Sequence, residues 1–443
     1  MIDIKLIREN PSLVKESQNK RGMDESIVDE LLALDKKWRK LKEEVDELRS
    51  RRNRTSEEIN KAKKQGKKAE GMIKEAKEIP KLLENSEKEM KETEERRNAV
   101  WKEIPNIVDK SVPVGDASKN KITEEHGKIP KFNFPAKDHA DLLSALDLLD
   151  TQKASDVAAS RFYYLKGDLV KLNFAIINFA LDFLKSKGFT LMQPPYMLRK
   201  DILESALPLG AFGEMIYKIE GEDLYLIGTA EHALNAYHSN ETIDLEKPKR
   251  YAGISPCFRK EAGAHGKDTK GIFRIHQFEK VEQFIFCKPE DSWKEFDLIL
   301  DNSRQMLKLL EIPFRFVVLS SGDMGRVPTK TIDFECYFPS QKAYRELGSC
   351  SNCLDYQARR SNVKYHRGSE TEFAHTLNNT AIATERMIAC LVDNFQTKDG
   401  SIKIPKALWQ YTGFKEIKKS SERTFGCSEM RKSKNISNIK AKK

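Results

Sequence analysis

The residues best suited to chemistry lie in two neighbouring stretches, 258–261 and 273–282. Apolar residues flank both stretches, and the segment between them, 262–271, holds three glycines and no apolar residue larger than alanine. We therefore predict a strand, a polar hairpin loop and a second strand. Residues two apart on a strand share a face. The predicted faces carry Arg259 and Glu261 on one strand, and Arg274, His276, Phe278, Lys280 and Glu282 on the other.

This combination of side chains suits a ligand with an anionic end, a flat ring and an amine. Guanidinium groups bind phosphate, an aromatic ring stacks on a base, and carboxylates accept hydrogen bonds from amines. ATP together with an amino acid has those parts. The alternative is a solvated hairpin stabilised by ion pairs between its strands.

The whole run gives a more specific indication than its parts. Arg-x-Glu at 259–261, a polar loop, and then Arg-Ile-His-Gln-Phe-Glu-Lys-Val-Glu at 274–282 resemble motif 2 of a seryl-tRNA synthetase, a class II aminoacyl-tRNA synthetase. The resemblance implies that Arg259 binds the α-phosphate of ATP, that Phe278 stacks on adenine and that Glu261 accepts from its amine. The implied ATP-binding residues of this hairpin are Arg259, Lys260, Glu261, Arg274 and Phe278, and Arg259 and Glu282 are implied to bind serine.

A second element of this resemblance is Thr229-Ala230-Glu231, which follows a predicted strand at 224–227 and opens a helix. It resembles the family's Thr-x-Glu element, which places a hydroxyl and a carboxylate at the amino-acid substrate. The resemblance therefore implies a serine-binding role for all three residues. The alternative is an ordinary helix start, with Thr229 as the N-cap and Glu231 in the first turn.

The stretch Glu346-Leu347-Gly348-Ser349 resembles the family's segment in which a glutamate and a serine hold a divalent metal against ATP. The resemblance implies that all four residues bind ATP and that Glu346 and Ser349 bind the metal. Hard oxygen ligands plus phosphate suit Mg²⁺. We expect no zinc, because the Cys-x-x-Cys pair at 350–353 lacks both a second cysteine pair and a histidine pair at zinc-finger distance.

Residues 376–386 resemble motif 3 of the same family, in which an arginine reaches the γ-phosphate end of ATP. That residue is Arg386, and Arg274 is implied to share the task. Thr380 stands where many members have a serine that contacts the substrate. The run Asn379-Thr380-Ala381 is nearer to the archaeal and eukaryotic form than to the glycine-rich bacterial one. The catalytic residues implied by the resemblance are Arg259, Arg274 and Arg386.

An amphipathic helix is predicted at 169–187, followed by a strand at 189–192 and by Pro194-Pro195. This order resembles motif 1, which forms the dimer interface in class II synthetases, so we expect a homodimer. Without the resemblance, an ordinary amphipathic helix explains the same pattern.

Residues 1–111 are rich in Glu, Lys, Arg and Leu, and apolar positions recur at steps of three and four from Leu34 to Ile59 and from Ile79 to Ile107. This pattern predicts two helices, and the glycines between them favour an antiparallel hairpin. Pro80 should kink or delay the second helix.

Basic residues concentrate near the tip of this hairpin, where residues 49–68 carry nine basic and two acidic side chains. A projecting rod with a basic end suits a phosphate backbone, although a solvated charged face is the simpler interpretation. By resemblance, the rod would grip the long variable arm of tRNA(Ser). The candidate tRNA-binding residues are Arg49, Arg51, Arg52, Arg54, Lys61, Lys63 and Lys64.

The composition fits a two-domain protein of 443 residues with a net charge of +10. We predict a tRNA-binding arm at 1–111, a linker at 112–131, a class II catalytic domain at 132–414 and a basic, disordered tail at 415–443. The predicted fold class is α+β, an antiparallel sheet with flanking helices plus the helical arm. Seven cysteines, an odd number, and the lack of a long apolar run favour a soluble cytoplasmic protein with free thiols.

The expected activity is that of a serine–tRNA ligase, which activates L-serine with ATP and transfers it to tRNA(Ser), with tRNA(Sec) as a second candidate substrate. Three other classes compete with it. A noncatalytic paralogue would be expected to have lost Arg259, Glu282, Glu346 or Arg386, and all four are present. An amino-acid ligase for a carrier protein would lack the arm, and a purely structural coiled coil leaves more than half of the chain without a purpose.

Overall fold

The computed structural model describes residues 1–66, 68–207, 210, 213–261 and 270–419. Most of the predicted hairpin loop and nearly all of the predicted tail lie outside the described residues. The helices are α1 Ile4–Glu9, α2 Pro11–Lys20, α3 Ser26–Lys64, α4 Glu70–Glu103, α5 His139–Ala145, α6 Thr151–Val157, α7 Asp168–Ser186, α8 Lys200–Ala206, α9 Ala230–Ala236, α10 Ser292–Leu309, α11 Tyr356–Ser361, α12 Thr384–Phe395 and α13 Trp409–Thr412.

The strands all come after α4 in the chain. They are β1 Lys121–His126, β2 Leu149–Asp150, β3 Tyr164–Leu165, β4 Thr190–Met192, β5 Met197–Arg199, β6 Leu224–Leu226, β7 Thr242–Ile243, β8 Lys249–Phe258, β9 Gln277–Cys287, β10 Phe314–Val318, β11 Lys330–Phe338, β12 Ala343–Leu354, β13 Lys364–Arg367, β14 Glu370–Phe373, β15 His375–Ala383, β16 Ile402–Lys403 and β17 Glu416–Ile417.

Helices α3 and α4 pack as an antiparallel pair, which we call the arm. Ion pairs between Glu30 and Arg96 and between Lys37 and Glu89 give the register, since the residue numbers rise on one helix as they fall on the other. The predicted seam is buried, with Val45 and Leu48 of α3 against Leu83 of α4. The two-helix prediction is therefore confirmed.

Two details of the arm differ from the prediction. Helix α4 runs without interruption from Glu70 to Glu103, so the predicted delay at Pro80 is wrong. The ring of Pro80 lies on the exposed face of the helix, where it does not disturb the seam. At the other end, α4 ends at Glu103, so Ile107, the last position of the predicted seam, lies beyond the helix.

The root of the arm is held by a buried carboxylate. Asp35 is fully buried and lies 2.8 Å from Arg8, 3.2 Å from Arg39 and 3.6 Å from Arg97. Burial opposes ionisation, but the hydrogen bond from Arg8 and the three positive charges lower the pKa of Asp35 below its usual range. This cluster, which we call the root cluster, fixes both arm helices to α1.

The catalytic half is built on one eight-stranded sheet with the order β1-β10-β11-β12-β15-β9-β8-β4. All neighbouring strands are antiparallel except β4 and β8, which pair in parallel at one edge. Helices α7, α10 and α12 supply apolar residues to the largest core. The predicted fold class is confirmed. Among the described residues, no helix has the length and apolar character needed to cross a membrane.

The predicted hairpin strands are shorter than expected. Strand β8 ends at Phe258 and β9 begins at Gln277, so the prediction that Arg259, Glu261, Arg274 and His276 lie on strands is wrong. Glu261 has φ of +47°, which turns the chain out of the extended conformation. The segment before β9 buries Ile272 and Phe273, which are consecutive, so it cannot alternate as a strand does.

Two short elements lie near the start of the catalytic half. Helix α5 ends at Ala145, because Asp147 takes a positive φ and Leu149 already belongs to β2. Strand β3 is limited to Tyr164–Leu165.

Candidate active site

Two adjoining cavities open on the polar face of the sheet. The first, about 90 Å³, is lined by both sides of the β8–β9 connection, by β12 and by the start of α12, and we call it the Arg386 cavity. The second, about 530 Å³, is lined by the start of α9, the β10–β11 loop and β12, and we call it the Glu231 cavity. Arg259, Glu346 and Ser349 line both cavities, so a ligand in one can meet a ligand in the other.

Most of the predicted site residues border one of these cavities. The Arg386 cavity is lined by Arg259, Glu261, Arg274, Phe278, Glu346, Leu347, Gly348, Ser349, Thr380 and Arg386, and the Glu231 cavity by Thr229, Glu231, Arg259, Glu346 and Ser349. Three predicted residues line neither cavity. Ala230 is buried behind Thr229, the ammonium group of Lys260 lies 5.5 Å from the ring of Tyr217, and Glu282 is buried between the two cavities.

Three arginines bring positive charge to the Arg386 cavity. Arg386 donates to the backbone carbonyl of Glu346 at 3.1 Å and lies 3.4 Å from its carboxylate. Arg274 lies 3.5 Å from the carboxylate of Glu261, and its buried Nε has no hydrogen-bond partner among the described residues. Buried donors are normally satisfied. The unpaired Nε therefore marks a place where an anionic ligand would supply the missing acceptor.

Arg259 joins the two cavities. Its Nε donates to the carbonyl of Gly228 at 3.1 Å, and its guanidinium lies 5.3 Å from the centre of the Phe278 ring. The backbone N–H of Arg259 also donates to the carbonyl of His276 at 2.9 Å, which continues the pairing of β8 and β9 beyond their ends. Arg259 and the residues before β9 are thus brought together by this backbone pairing and not by a shared strand face.

Glu282 is buried between the two cavities. Its carboxylate accepts a hydrogen bond from the hydroxyl of Thr229 at 2.8 Å and pairs with the ammonium group of Lys280. Thr380 is its partner on β15 in the sheet register. The hydroxyl of Thr229 also accepts from the backbone N–H of Glu231 at 3.3 Å, so Thr229 caps α9 as the alternative prediction stated.

Glu231 is held at the wall of its cavity by two amides. Its Oε1 accepts from Gln357 at 2.7 Å and from Asn378 at 3.1 Å. Burial first, and the charge of Glu282 second, raise the pKa of Glu231 to about 7. The neighbouring His232 is buried, and the loss of solvation lowers its pKa to about 3, so its imidazole is neutral. A cationic ligand here would favour the ionised form of Glu231.

The residues expected to hold Mg²⁺ offer oxygen donors at the junction of the cavities. Glu346 has a side chain that is 47% exposed, and Ser349 borders both cavities. Burial, and then the charges of Glu346 and Glu335, raise the pKa of Asp333. These hard oxygen donors fit a divalent cation whose remaining ligands are phosphate oxygens. Within the described residues, no group of three or more His, Cys, Asp or Glu side chains could hold a metal by itself.

Sequence reasoning gave no role to several residues that shape the site. The alternation puts Lys280 on the same predicted face as Phe278 and Glu282 but gives it no role. Phe273 looked like part of the apolar flank, yet its ring lies 5.2 Å from the guanidinium of Arg386. No sequence pattern points to Gln357 or Asn378. They are more than a hundred positions from Glu231 in the chain and meet it only in the folded protein.

The tip of the arm is less uniformly basic than its sequence suggests. Arg49 pairs with Glu87 at 2.8 Å and Arg51 with Glu75 at 2.5 Å, so α4 offsets part of the charge of α3. The other candidate residues are exposed, and no ion pair to a described acidic residue involves them. These residues are Arg52, Arg54, Lys61, Lys63 and Lys64.

Comparisons with known proteins agree on one family. The model of the seryl-tRNA synthetase N-terminal domain matches residues 1–108, and that of the class II tRNA synthetase core domain (G, H, P, S and T) matches residues 216–395. The serine–tRNA ligase of Nitrosopumilus maritimus is 47% identical over 93% of this chain and 99% of its own.

Solved structures give the same result. The crystal structure of seryl-tRNA synthetase from Pyrococcus horikoshii complexed with ATP has a TM-score of 0.89 at 44% identity and covers 94% of this chain and 99% of its own. The cytoplasmic serine–tRNA ligase of Naegleria fowleri in complex with AMP has a TM-score of 0.84 at 40% identity and covers 95% of this chain and 99% of its own. The chain therefore belongs to the serine–tRNA ligase family, the aminoacyl-tRNA synthetases that combine a class II core with a helical N-terminal arm.

Proposed function

We propose that this protein charges tRNA(Ser) with L-serine in two steps at the junction of the two cavities. In the first step, a carboxylate oxygen of serine attacks the α-phosphorus of ATP, and the bond to the β-phosphate breaks with release of diphosphate. In the second, a hydroxyl of the terminal tRNA ribose attacks the seryl carbonyl, and AMP leaves. The observation that carries this proposal is the shared border of the cavities at Arg259, Glu346 and Ser349. No protein nucleophile is needed, because positioning and charge neutralisation lower the barrier.

We propose that ATP binds at the Arg386 cavity, which at about 90 Å³ is too small for the whole nucleotide, and extends to the border that it shares with the Glu231 cavity. Arg259 would bind the α-phosphate, and Arg274 and Arg386 the γ-phosphate end. The unpaired Nε of Arg274 supports this role. Phe278 would stack on adenine, and Glu261 would accept from its amine. Lys260, Leu347 and Gly348 would complete the nucleotide site through the backbone that surrounds these side chains.

Glu346 and Ser349 would hold Mg²⁺ in this arrangement. When bound, the ion would supply positive charge against the phosphates. The exposed carboxylate of Glu346 is paired with Arg386, so it can exchange one positive partner for another without being buried.

The Glu231 cavity is proposed to hold serine. The ionised Glu231 would bind the ammonium group, and Thr229, Glu282 and Thr380 would surround the hydroxyl, with Arg259 at the carboxylate. The short side chain of Ala230 leaves room behind Thr229 for this contact. Polar groups built to bind a hydroxyl lose their partners when alanine enters, so alanine should be rejected strongly.

We assign residues 1–111 to tRNA binding and 132–414 to catalysis. The predicted linker, 112–131, contributes β1 to the catalytic sheet, and the predicted tail, 415–443, begins with β17, which pairs with β16. Exposed cations at Arg52, Arg54, Lys61, Lys63 and Lys64 support contact between the tip of the arm and the RNA backbone. Charging of tRNA(Sec) stays a prediction. Because the reaction uses tRNA, ATP and free serine, we place the enzyme in the cytoplasm, and the six described cysteines are all free thiols.

We further propose a homodimer formed through α7 and the edge strand β4. Phe174 on α7 is 55% exposed and Leu191 on β4 is 39% exposed, whereas the opposite face of α7 is buried in the largest core. Large apolar side chains exposed at a sheet edge favour coverage by a partner.

The decisive experiment is ATP–diphosphate exchange measured with each of the twenty amino acids in turn. Only serine should support rapid exchange. Arg259→Ala should abolish exchange while the protein stays folded, because the contacts of its side chain with described residues are a hydrogen bond to a backbone carbonyl and the approach to the Phe278 ring. Arg199→Ala, at an arginine whose side chain is 65% exposed on β5, serves as the control. Exchange at the wild-type rate by Arg259→Ala would contradict the proposal.

A further inference from the structure

One wall of the Glu231 cavity is a loop of the catalytic half that forms hydrogen bonds with residues of the N-terminal segment. Residues 319–329 connect β10 to β11, and within them the segment 323–328, which we call the wall loop, contributes most of this wall. The wall loop does not border the Arg386 cavity. Its conformation therefore bears on the proposed serine site and not on the proposed ATP site.

A buried arginine from the N-terminal segment holds the wall loop. Arg21, which follows α2, is 7% exposed, and its guanidinium donates to the carbonyls of Gly325 and Pro328 at 2.8 Å each. Its Nε donates to the carbonyl of Asn106 at 3.2 Å. No ion pair to a described carboxylate offsets its charge, and burial lowers the pKa of Arg21 to about 10. A buried arginine whose partners are carbonyls fixes backbone in place, since it must keep them to stay ionised.

Two more residues hold the wall loop from the same side. The amide of Asn106 donates to the carbonyl of Val327 at 3.0 Å and to that of Cys353, a second lining residue of the Glu231 cavity, at 2.8 Å. Its backbone N–H donates to the carbonyl of Arg326 at 2.9 Å. Glu103, the last residue of α4, pairs with the side chain of Arg326 at 3.1 Å.

The connection extends to Glu231 itself. The hydroxyl of Tyr356 donates to the carbonyl of Ile104 at 2.9 Å, and the next residue, Gln357, donates to the carboxylate of Glu231 at 2.7 Å. The base of the arm thus reaches the proposed serine site by two routes, one through the wall loop and one through α11.

We propose that Arg21, Glu103 and Asn106 are positioning residues of the amino-acid site, so that the N-terminal segment sets the affinity for serine as well as binding tRNA. This inference rests on the proposed function of the Glu231 cavity. If these contacts only joined two domains, their loss would lower stability and leave the substrate affinities unchanged relative to each other. If they position the wall loop, serine binding suffers and ATP binding does not.

The test uses the full-length protein and the ATP–diphosphate exchange assay. Arg21→Met should raise the KM for serine about tenfold, which corresponds to about 1.4 kcal/mol, and leave the KM for ATP within about twofold of wild type. Arg21→Lys should give an intermediate KM for serine, because an ammonium group cannot hold the same set of carbonyls. Arg8→Met is the matched control, since it removes an arginine of the same segment that contacts Asp35 and not the wall loop.

Glu103→Gln tests whether a loss of positioning raises the KM for serine without a folding defect. Glu103 has a side chain that is 39% exposed, so this variant should melt at the wild-type temperature and still raise the KM for serine about threefold. Equal increases in the two KM values, or a lower melting temperature with a wild-type KM for serine, would overturn the inference. A wild-type protein that does not exchange with serine would overturn the proposed function, and this inference with it.

Discussion

The raised pKa of Glu231 makes a specific prediction about how serine binding depends on pH. A carboxyl group with a pKa of about 7 is ionised in about one molecule in eleven at about pH 6 and in about ten in eleven at about pH 8. Only the ionised form can pair with the ammonium group of serine. The KM for serine should therefore fall about tenfold between about pH 6 and about pH 8. With the usual value of 4.5, the change would be about 3%.

The neighbouring groups allow this effect to be assigned to Glu231. The pKa of His232 is lowered to about 3, so its imidazole does not titrate in this range. The pKa of Glu385 is also raised to about 7 by burial, but Glu385 borders the Arg386 cavity. Saturating ATP removes its contribution to the apparent affinity for serine.

The assay is ATP–diphosphate exchange with serine varied at each pH. Glu231→Gln keeps the shape of the side chain and cannot ionise, so its KM for serine should be high and independent of pH. A KM for wild type that is flat between about pH 6 and about pH 8 would refute the assignment of the ammonium group to Glu231. So would a Glu231→Gln variant that keeps the wild-type pH dependence.

Three other predictions concern packing, tRNA and assembly. Gly348→Ala should cost about 1–3 kcal/mol of stability and raise the KM for ATP, because the new Cβ would lie 2.4 Å from the buried ring of Phe334. Thermal melting measures the first effect and exchange the second, and the control Gly71→Ala, whose Cβ would have no atom within 4 Å, should change neither quantity. Replacing residues 42–84 by a short turn keeps the root cluster and should preserve exchange but abolish tRNA charging; equal loss of both would contradict the role of the arm. Phe174→Glu should shift the mass measured by light scattering from dimer to monomer, and an unchanged mass would contradict the proposed interface.

The sequence predicted which residues come together better than it predicted the elements that carry them. Arg259, Phe278 and Arg386 converge on one cavity as the motif spacing indicated, because the pairing of β8 with β9 and of β9 with β15 is set by the apolar pattern. The same reasoning placed Arg274 on a strand, which is wrong, since Ile272 and Phe273 are both buried and end the alternation.

Other features could not be read from local pattern at all. Gln357 is fixed at Glu231 by the packing of α11, and Arg21 reaches carbonyls about three hundred positions away. Neither contact leaves a periodic signal, because both depend on how separate elements meet. Pro80 is a different case, because α4 already begins at Glu70 and continues through the exposed proline, so the expected delay is absent.

The root cluster gives the arm the mechanics of a lever. From Asp35 to Lys64, α3 advances 29 residues, which at about 1.5 Å per residue is about 44 Å. A rotation of about 5° at the root would therefore move the tip by about 4 Å. One buried carboxylate and three guanidinium groups thus contribute to how far the tip of the arm can move.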